Sequence, residues 1–178
     1  VLWPAAIALA HDLAARGDAL RGTSVLELGA GTGLPGIVAA SLGARVVQTD
    51  RVELALDVCR RNAARNGVAG IAHRLADWRA WDDATRYDWI VGADVLYADG
   101  VHEDLRRIFA TNLAPGGRLL LADPFRRTSF PLLEALAADG WAVTVEKWTI
   151  DAAPPRGSGG GRADGVAPRS VGVFACVR

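Results

Sequence analysis

The stretch from Glu27 to Gly36, ELGAGTGLPG, sets four glycines between two apolar runs, SVLEL before it and IVAASL after it. Glycine inside a regular element costs roughly 0.5–1 kcal/mol relative to alanine, so a cluster of them needs a cause. A sharp turn from strand to helix is one cause, and close approach of a ligand to the backbone is the other. A turn alone accounts for one or two glycines but not for the alternate series Gly29, Gly31 and Gly33. The chain is thereby restricted to folds with a glycine-rich strand-to-helix junction at a binding crevice, the carboxyl end of a strand in an open α/β sheet.

The remainder of the chain agrees with that restriction. Strand-like apolar runs alternate with helix-length amphipathic segments, the pattern of a parallel sheet covered by helices. Pro4 suits the first turn of a helix running to about Leu20. Strands are expected at Ser24–Leu28, at Arg45–Thr49 ending on Asp50, at His73–Leu75 and at Tyr87–Ala93. Between them fall a short helix from about Pro35 and a longer one from Val52 to Asn66, capped by Gly67. A helix from about His102 to Leu113 breaks at Pro115-Gly116-Gly117, and strand Arg118–Ala122 and helix Pro131–Ala138 follow. Two strand-like runs, Trp141–Ile150 and Ser170–Val177, then come with no helix between them, so the last strand enters antiparallel. The expected fold class is α/β, a Rossmann-like doubly wound seven-stranded sheet, mostly parallel with an antiparallel last strand.

At 178 residues, about half of them apolar, the chain is read as one domain, 1–178, able to bury a substantial core. Residues 152–168, rich in Pro and Gly around GSGGG, are expected to form a flexible surface loop. The chain opens at Val1 rather than Met, and trimming of a preceding segment is part of the expectation. Twenty acidic and twenty basic residues balance, which favours neither nucleic acid nor an anionic membrane as partner. Cys59 and Cys176 show no metal-ligand spacing, and no apolar run approaches the ~20 residues of a membrane span. With no secretory leader visible, the cytoplasm is the expected location. Trp81 and Trp89 read as packing residues.

Two chemistries compete for the glycines. Gly31-Thr32-Gly33-Leu34-Pro35-Gly36 matches the G-x-G-x-x-G dinucleotide fingerprint, whose backbone N–H groups receive a pyrophosphate. Glu27 and Gly29, however, precede it and make the longer pattern E-x-G-x-G-x-G. That pattern, with the terminal hairpin, resembles the first motif of the seven-β-strand methyltransferases that use S-adenosylmethionine. Trp3-Pro4-Ala5, Asp77-Trp78 and Asp94-Val95-Leu96-Tyr97 narrow the resemblance, over about residues 3 to 148, to the family 16 or DxxY branch, mostly protein lysine methyltransferases.

The resemblance implies a set of site residues. Cofactor contacts would come from Trp3, from the loop residues Glu27, Gly29, Ala30, Gly31, Thr32 and Gly33, from Asp50 and Arg51, from Asp77 and Trp78, and from Ala93. Asp50 would accept from both ribose hydroxyls, a use its lone pairs permit and NAD enzymes share. Asp77 would accept from the adenine amine while Trp78 offers an apolar face. Asp94 and Tyr97 would be catalytic, at the mouth where acceptor meets methyl group. Val95-Leu96 replaces the two prolines of the motif used on adenine or glutamine amines, and no metal is implied.

The implied reaction is in-line displacement, in which an acceptor nitrogen takes the sulfonium methyl and S-adenosylhomocysteine leaves. A lysine amine, with an ordinary pKa near about 10.4, must first lose a proton at a cost of roughly 4.6 kcal/mol at pH 7. An apolar channel and the sulfonium charge would lower that cost, whereas a carboxylate such as Asp94 stabilises the ammonium unless it passes the proton on. Asp94 is therefore assigned to positioning the amine or relaying its proton, and Tyr97 to orienting it or walling the channel. A small-molecule N-methyltransferase, a cofactor-binding protein without turnover and an NAD-dependent oxidoreductase stay open beside this reading. A protein acceptor is expected first and a small molecule second. No residue run identifies the acceptor or an oligomeric interface.

Overall fold

The computed structural model describes residues 1–150 and 168–178, so the expected loop 152–168 lies outside the described residues except for Pro168. Among the described residues seven strands form one sheet in the order β3-β2-β1-β4-β5-β7-β6. They are β1 (Ser24–Leu28), β2 (Arg45–Asp50), β3 (Ala72–Leu75), β4 (Tyr87–Ala93), β5 (Leu113–Asp123), β6 (Ala142–Ile150) and β7 (Arg169–Val177). Strands β1 to β5 pair in parallel, and β7 runs antiparallel to both β5 and β6. The expected hairpin is present.

Among the described residues five α-helices cover the sheet: α1 (Pro4–Arg16), α2 (Leu34–Ser41), α3 (Glu53–Arg65), α4 (His102–Asn112) and α5 (Phe130–Ala138). Alternation of side chains along each strand builds two cores. On one face Val25, Val46, Val91, Leu120 and Val173 meet Leu9 and Leu13 of α1. On the other Leu26, Leu28, Ile90, Leu119 and Leu121 meet Leu105, Ile108 and Phe109 of α4 and Leu132 and Leu136 of α5. Burial on both faces explains why β1, β4 and the second half of β5 read as continuous apolar runs. No described helix is long and apolar enough to cross a membrane.

Two boundaries differ from expectation by more than one residue. Helix α1 stops at Arg16 because Gly17 turns with φ 51, and a 3-10 turn carries the chain to Leu20. Strand β5 begins at Leu113, five residues early, and holds Pro115-Gly116-Gly117 inside it. Leu113 pairs with Tyr87 while Arg118 pairs with Trp89, so the PGG segment bulges from a strand that continues beyond it. Gly117 is obligatory there, since a Cβ would lie 2.9 Å from the Asp88 carbonyl. The segment between β3 and β4 is fastened by Asn112, which donates to the carbonyls of Asp83 and Thr85 at 2.9 and 2.8 Å and accepts from Trp81 Nε1 at 2.9 Å. Trp89 is a packing residue as expected, with the guanidiniums of Arg16 and Arg118 over its ring.

Candidate functional site

The carboxyl ends of β1, β2 and β4 open into one cleft of about 240 Å³. Its lining includes ten of the residues expected from sequence: Trp3, Gly29, Gly31, Asp50, Arg51, Asp77, Trp78, Ala93, Asp94 and Tyr97. A small recess of about 30 Å³ beside it is lined by Glu27, Ala30 and Thr32 together with Trp3 and Ala93. Gly33 lines neither. Val95 of the Asp94–Tyr97 motif also faces the cleft, as do Ala76, Arg79 and Val101, which carry no motif signal.

The glycines divide by what crowds them. A Cβ on Gly33 would lie 2.8 Å from Gln48 Nε2 and 2.9 Å from Cys59 Sγ, and one on Gly36 would lie 2.4 Å from Glu27 Oε2. At these two positions the close neighbour is the protein itself. Gly31, with φ 56, has nothing nearer than its own loop's Gly29 carbonyl, at 3.9 Å, and faces the cleft. That bare backbone leaves room for a ligand.

Glu27 is buried beneath the loop, where it accepts from Gly36 N at 3.1 Å and from Gln48 Nε2 at 2.7 Å. Gln48 Nε2 also donates to the Gly33 carbonyl at 2.9 Å, and Asn62 Nδ2 donates to the Thr32 carbonyl at 2.8 Å. Loss of water pushes the Glu27 carboxyl up to about 8 despite these donors. Burial likewise pushes the Cys59 thiol up to about 12, and its Sγ donates to the Gly31 carbonyl at 3.5 Å. Glu27 thus shapes the loop from below and touches only the recess.

Asp50 performs a task that sequence reasoning did not foresee. Its Oδ2 accepts from Gly31 N and its Oδ1 from Val52 N, each at 3.0 Å, so one carboxylate ties the loop to the start of α3. Each oxygen retains a lone pair for another donor. Asp77 Oδ1 accepts from Arg79 N at 3.0 Å and caps the short 3-10 turn Trp78–Ala80. Arg107 Nη2 donates to the Trp78 carbonyl at 2.8 Å and fixes the turn from α4. Trp3, which precedes Pro4, and Tyr97 are about half exposed at the cleft.

Beyond β4 the chain turns through Asp94, whose φ of 63 is left-handed; among the described residues only Phe125 shares a positive φ without being glycine. Such a conformation costs about 1–3 kcal/mol and persists where its surroundings enforce it. Asp94 N donates to the Ala122 carbonyl at 2.8 Å, and its carboxylate pairs with Arg126. The Asp94 carboxylate beside Arg126 raises that guanidinium still further above its ordinary value. Sequence reasoning missed Arg126, because nothing in ADPFRRTSF signals that the loop after β5 folds back on Asp94.

A seven-stranded sheet of this order, with β7 reversed and a glycine-floored cleft at the ends of β1, β2 and β4, is the fold of the S-adenosylmethionine-dependent methyltransferases. The precorrin-8W decarboxylase of Methanobacterium thermoautotrophicum superposes with a TM-score of 0.77 at 22% identity, covering all of this chain and 94% of that one. Magnesium protoporphyrin IX methyltransferase of Synechocystis, solved with its S-adenosylmethionine bound, gives 0.71 at 18% identity over 97% of this chain and 77% of that one. Within that class the chain belongs to the lysine methyltransferase family 16, whose sequence model matches residues 1–129.

Similar proteins include the protein N-lysine methyltransferase METTL21A of Xenopus tropicalis, 39% identical over 71% of this chain and 60% of that protein. The human histone-arginine methyltransferase METTL23 is 36% identical over 62% of this chain and 60% of its own length. The chain spans about 60% of the length of these curated relatives. S-adenosylmethionine fits the residues present: the open backbone at Gly31, free lone pairs on Asp50 and an apolar indole at Trp78 face one cleft. Among the described residues no group of three or more His, Cys, Asp or Glu could hold a metal ion.

Proposed function

We propose that this chain transfers a methyl group from S-adenosylmethionine to a nitrogen of a protein, the ε-amine of lysine foremost. The observation that carries the reading is the convergence of Trp3, the glycine loop, Asp50, Trp78 and the Asp94–Tyr97 turn on one cleft, in a chain of the lysine methyltransferase family. When bound, the cofactor supplies an electrophilic methyl on a sulfonium. Asp50 would hold the ribose hydroxyls while keeping the loop in place, and Trp78 would cover an apolar ring. Asp94 and Tyr97 would receive the acceptor amine, Tyr97 from its half-exposed position at the rim. Orientation of this kind is the chief way a protein without covalent chemistry of its own accelerates a transfer.

The test is incubation of the purified protein with methyl-labelled cofactor and a cell extract, with calorimetric titration of S-adenosylhomocysteine and NAD in parallel. Label in a precipitable protein, recovered after hydrolysis as methyl-lysine, supports the reading, and methyl-arginine redirects it to the other acceptor found among the relatives. Label confined to small molecules would replace the protein acceptor with a metabolite. Binding of NAD but not of S-adenosylhomocysteine would overturn the reading altogether.

A further inference from the structure

The Asp94 end of the cleft carries a charge arrangement to which no cofactor contact is assigned. Arg126 reaches Asp94 Oδ1 from the loop between β5 and α5, and the same Nη1 lies 3.2 Å from Asp123 Oδ2. The Asp94 side chain is 11% exposed and that of Asp123 is wholly buried, while Arg126 is 33% exposed. Arg126 itself does not line the cleft; Asp94 does.

The loop that carries Arg126 is held from several sides. Arg126 N donates to Asp123 Oδ1 at 2.7 Å, and Thr128 Oγ1 donates to the Leu96 carbonyl at 3.0 Å. Phe125, left-handed with φ 60, presses its ring onto Gly172 of β7, where a Cβ would come within 2.8 Å of it. An arginine recruited only to solubilise the surface requires none of this.

A bare carboxylate beside an incoming amine favours its charged form, whereas nucleophilic attack needs the free base. Asp50, Arg51, Asp77, Arg79 and Tyr97 line the same cleft, yet among the described residues Arg126 alone forms an ion pair with Asp94. The trio of Asp94, Arg126 and Asp123 has one negative charge in excess. One Nη1 of Arg126 serves both carboxylates, so the guanidinium's charge is shared between Asp94 at the cleft and Asp123 beneath it.

We propose that Arg126 is a positioning residue for the acceptor: paired with Asp94, it offsets part of the charge that this carboxylate would show an amine and fixes it at the cleft. The inference rests on the methyltransferase reading. It requires the Asp94 end to favour a cationic over a neutral ligand less in the parent than once the guanidinium is removed.

The experiment is calorimetric titration at pH 7 and low salt with two probes, S-adenosylhomocysteine and sinefungin, the analogue in which a carbon bearing a primary amine replaces the sulfur. Arg126→Gln is expected to favour sinefungin over S-adenosylhomocysteine by about three- to tenfold more than the parent does, a range reduced for partial solvent screening. Arg126→Lys, which keeps the charge, should hold the parent ratio within about twofold. Asp94→Asn should move the ratio the other way by a similar factor. An unchanged ratio in Arg126→Gln with S-adenosylhomocysteine still bound overturns the proposal, and if that variant does not fold, an unchanged ratio in Asp94→Asn does so. Failure of the parent to bind either probe removes the methyltransferase reading and the inference with it, a separate and recognisable result.

Discussion

Beneath the glycine loop Glu27, Gln48, Cys59 and Asn62 meet the backbone so closely that Gly33 and Gly36 have no space for a Cβ. Beyond β4, by contrast, the sheet end is held by a guanidinium between two carboxylates and by two left-handed residues. The first region is fixed by sterics and buried hydrogen bonds, which tolerate almost no change. The second is fixed in part by charge, which one substitution can change. A constant cofactor beside a variable acceptor calls for this division, because the rigid half needs only one shape and the other must suit its partner.

The largest effect that would sharpen the contrast is expected at Gly36→Ala. Its Cβ would overlap Glu27 Oε2 and Gln48 Nε2, and a loss of about 3 kcal/mol in urea unfolding is expected from overpacking together with a displaced buried hydrogen bond. A loss below about 1 kcal/mol would show that the cage relaxes and is not rigid.

Glu27 comes next, through pH. Its carboxyl sits at about 8 in the folded chain against 4.5 ordinarily, so between those values the folded state holds a proton that the unfolded state has released. Stability should therefore fall as pH rises from about 5 to about 8, by about 2 kcal/mol or more, and level off above that. Glu27→Gln should flatten this slope, and an identical slope in both proteins would remove Glu27 as its source.

Asp50→Ala should weaken S-adenosylhomocysteine by at least about tenfold in calorimetry, because it removes an acceptor and also frees the Gly31 and Val52 amides. Equal affinity in both proteins would confine Asp50 to a structural role. On the other side of the comparison, Asp94→Ala should lower turnover by about tenfold and leave affinity for S-adenosylhomocysteine within about threefold, with Tyr97→Phe giving a smaller loss. Unchanged turnover in both variants would break the assignment of this half to the acceptor.

The same division governs what the sequence discloses. Strands buried on both faces announce themselves as runs such as SVLEL and YDWIVGA, and βα junctions carry glycine or aspartate at fixed places, so the fold and ten cleft residues were readable. Gly33 is read from the sequence as making room for a ligand while its nearest neighbours are Gln48 and Cys59, since no linear pattern tells a ligand's approach from that of a side chain. Pro115-Gly116-Gly117 looked like a break because a bulge and a turn have the same composition; only its pairing with β4 tells them apart. Arg126 lies 32 residues from Asp94, and a contact at that distance between two loops leaves no periodicity to detect.

Strand β7 lies between β5 and β6 although the chain makes it after both. A ribosome thus delivers two neighbours before the strand that joins them, and β6 pairs with no other described strand. Phe125 also waits for Gly172 before its ring has a seat. Every residue of the glycine cage is in the chain by Asn62, whereas the seat of Phe125, beside Arg126, comes only with β7. Maturation would then proceed from one edge of the crevice to the other, in the direction of translation.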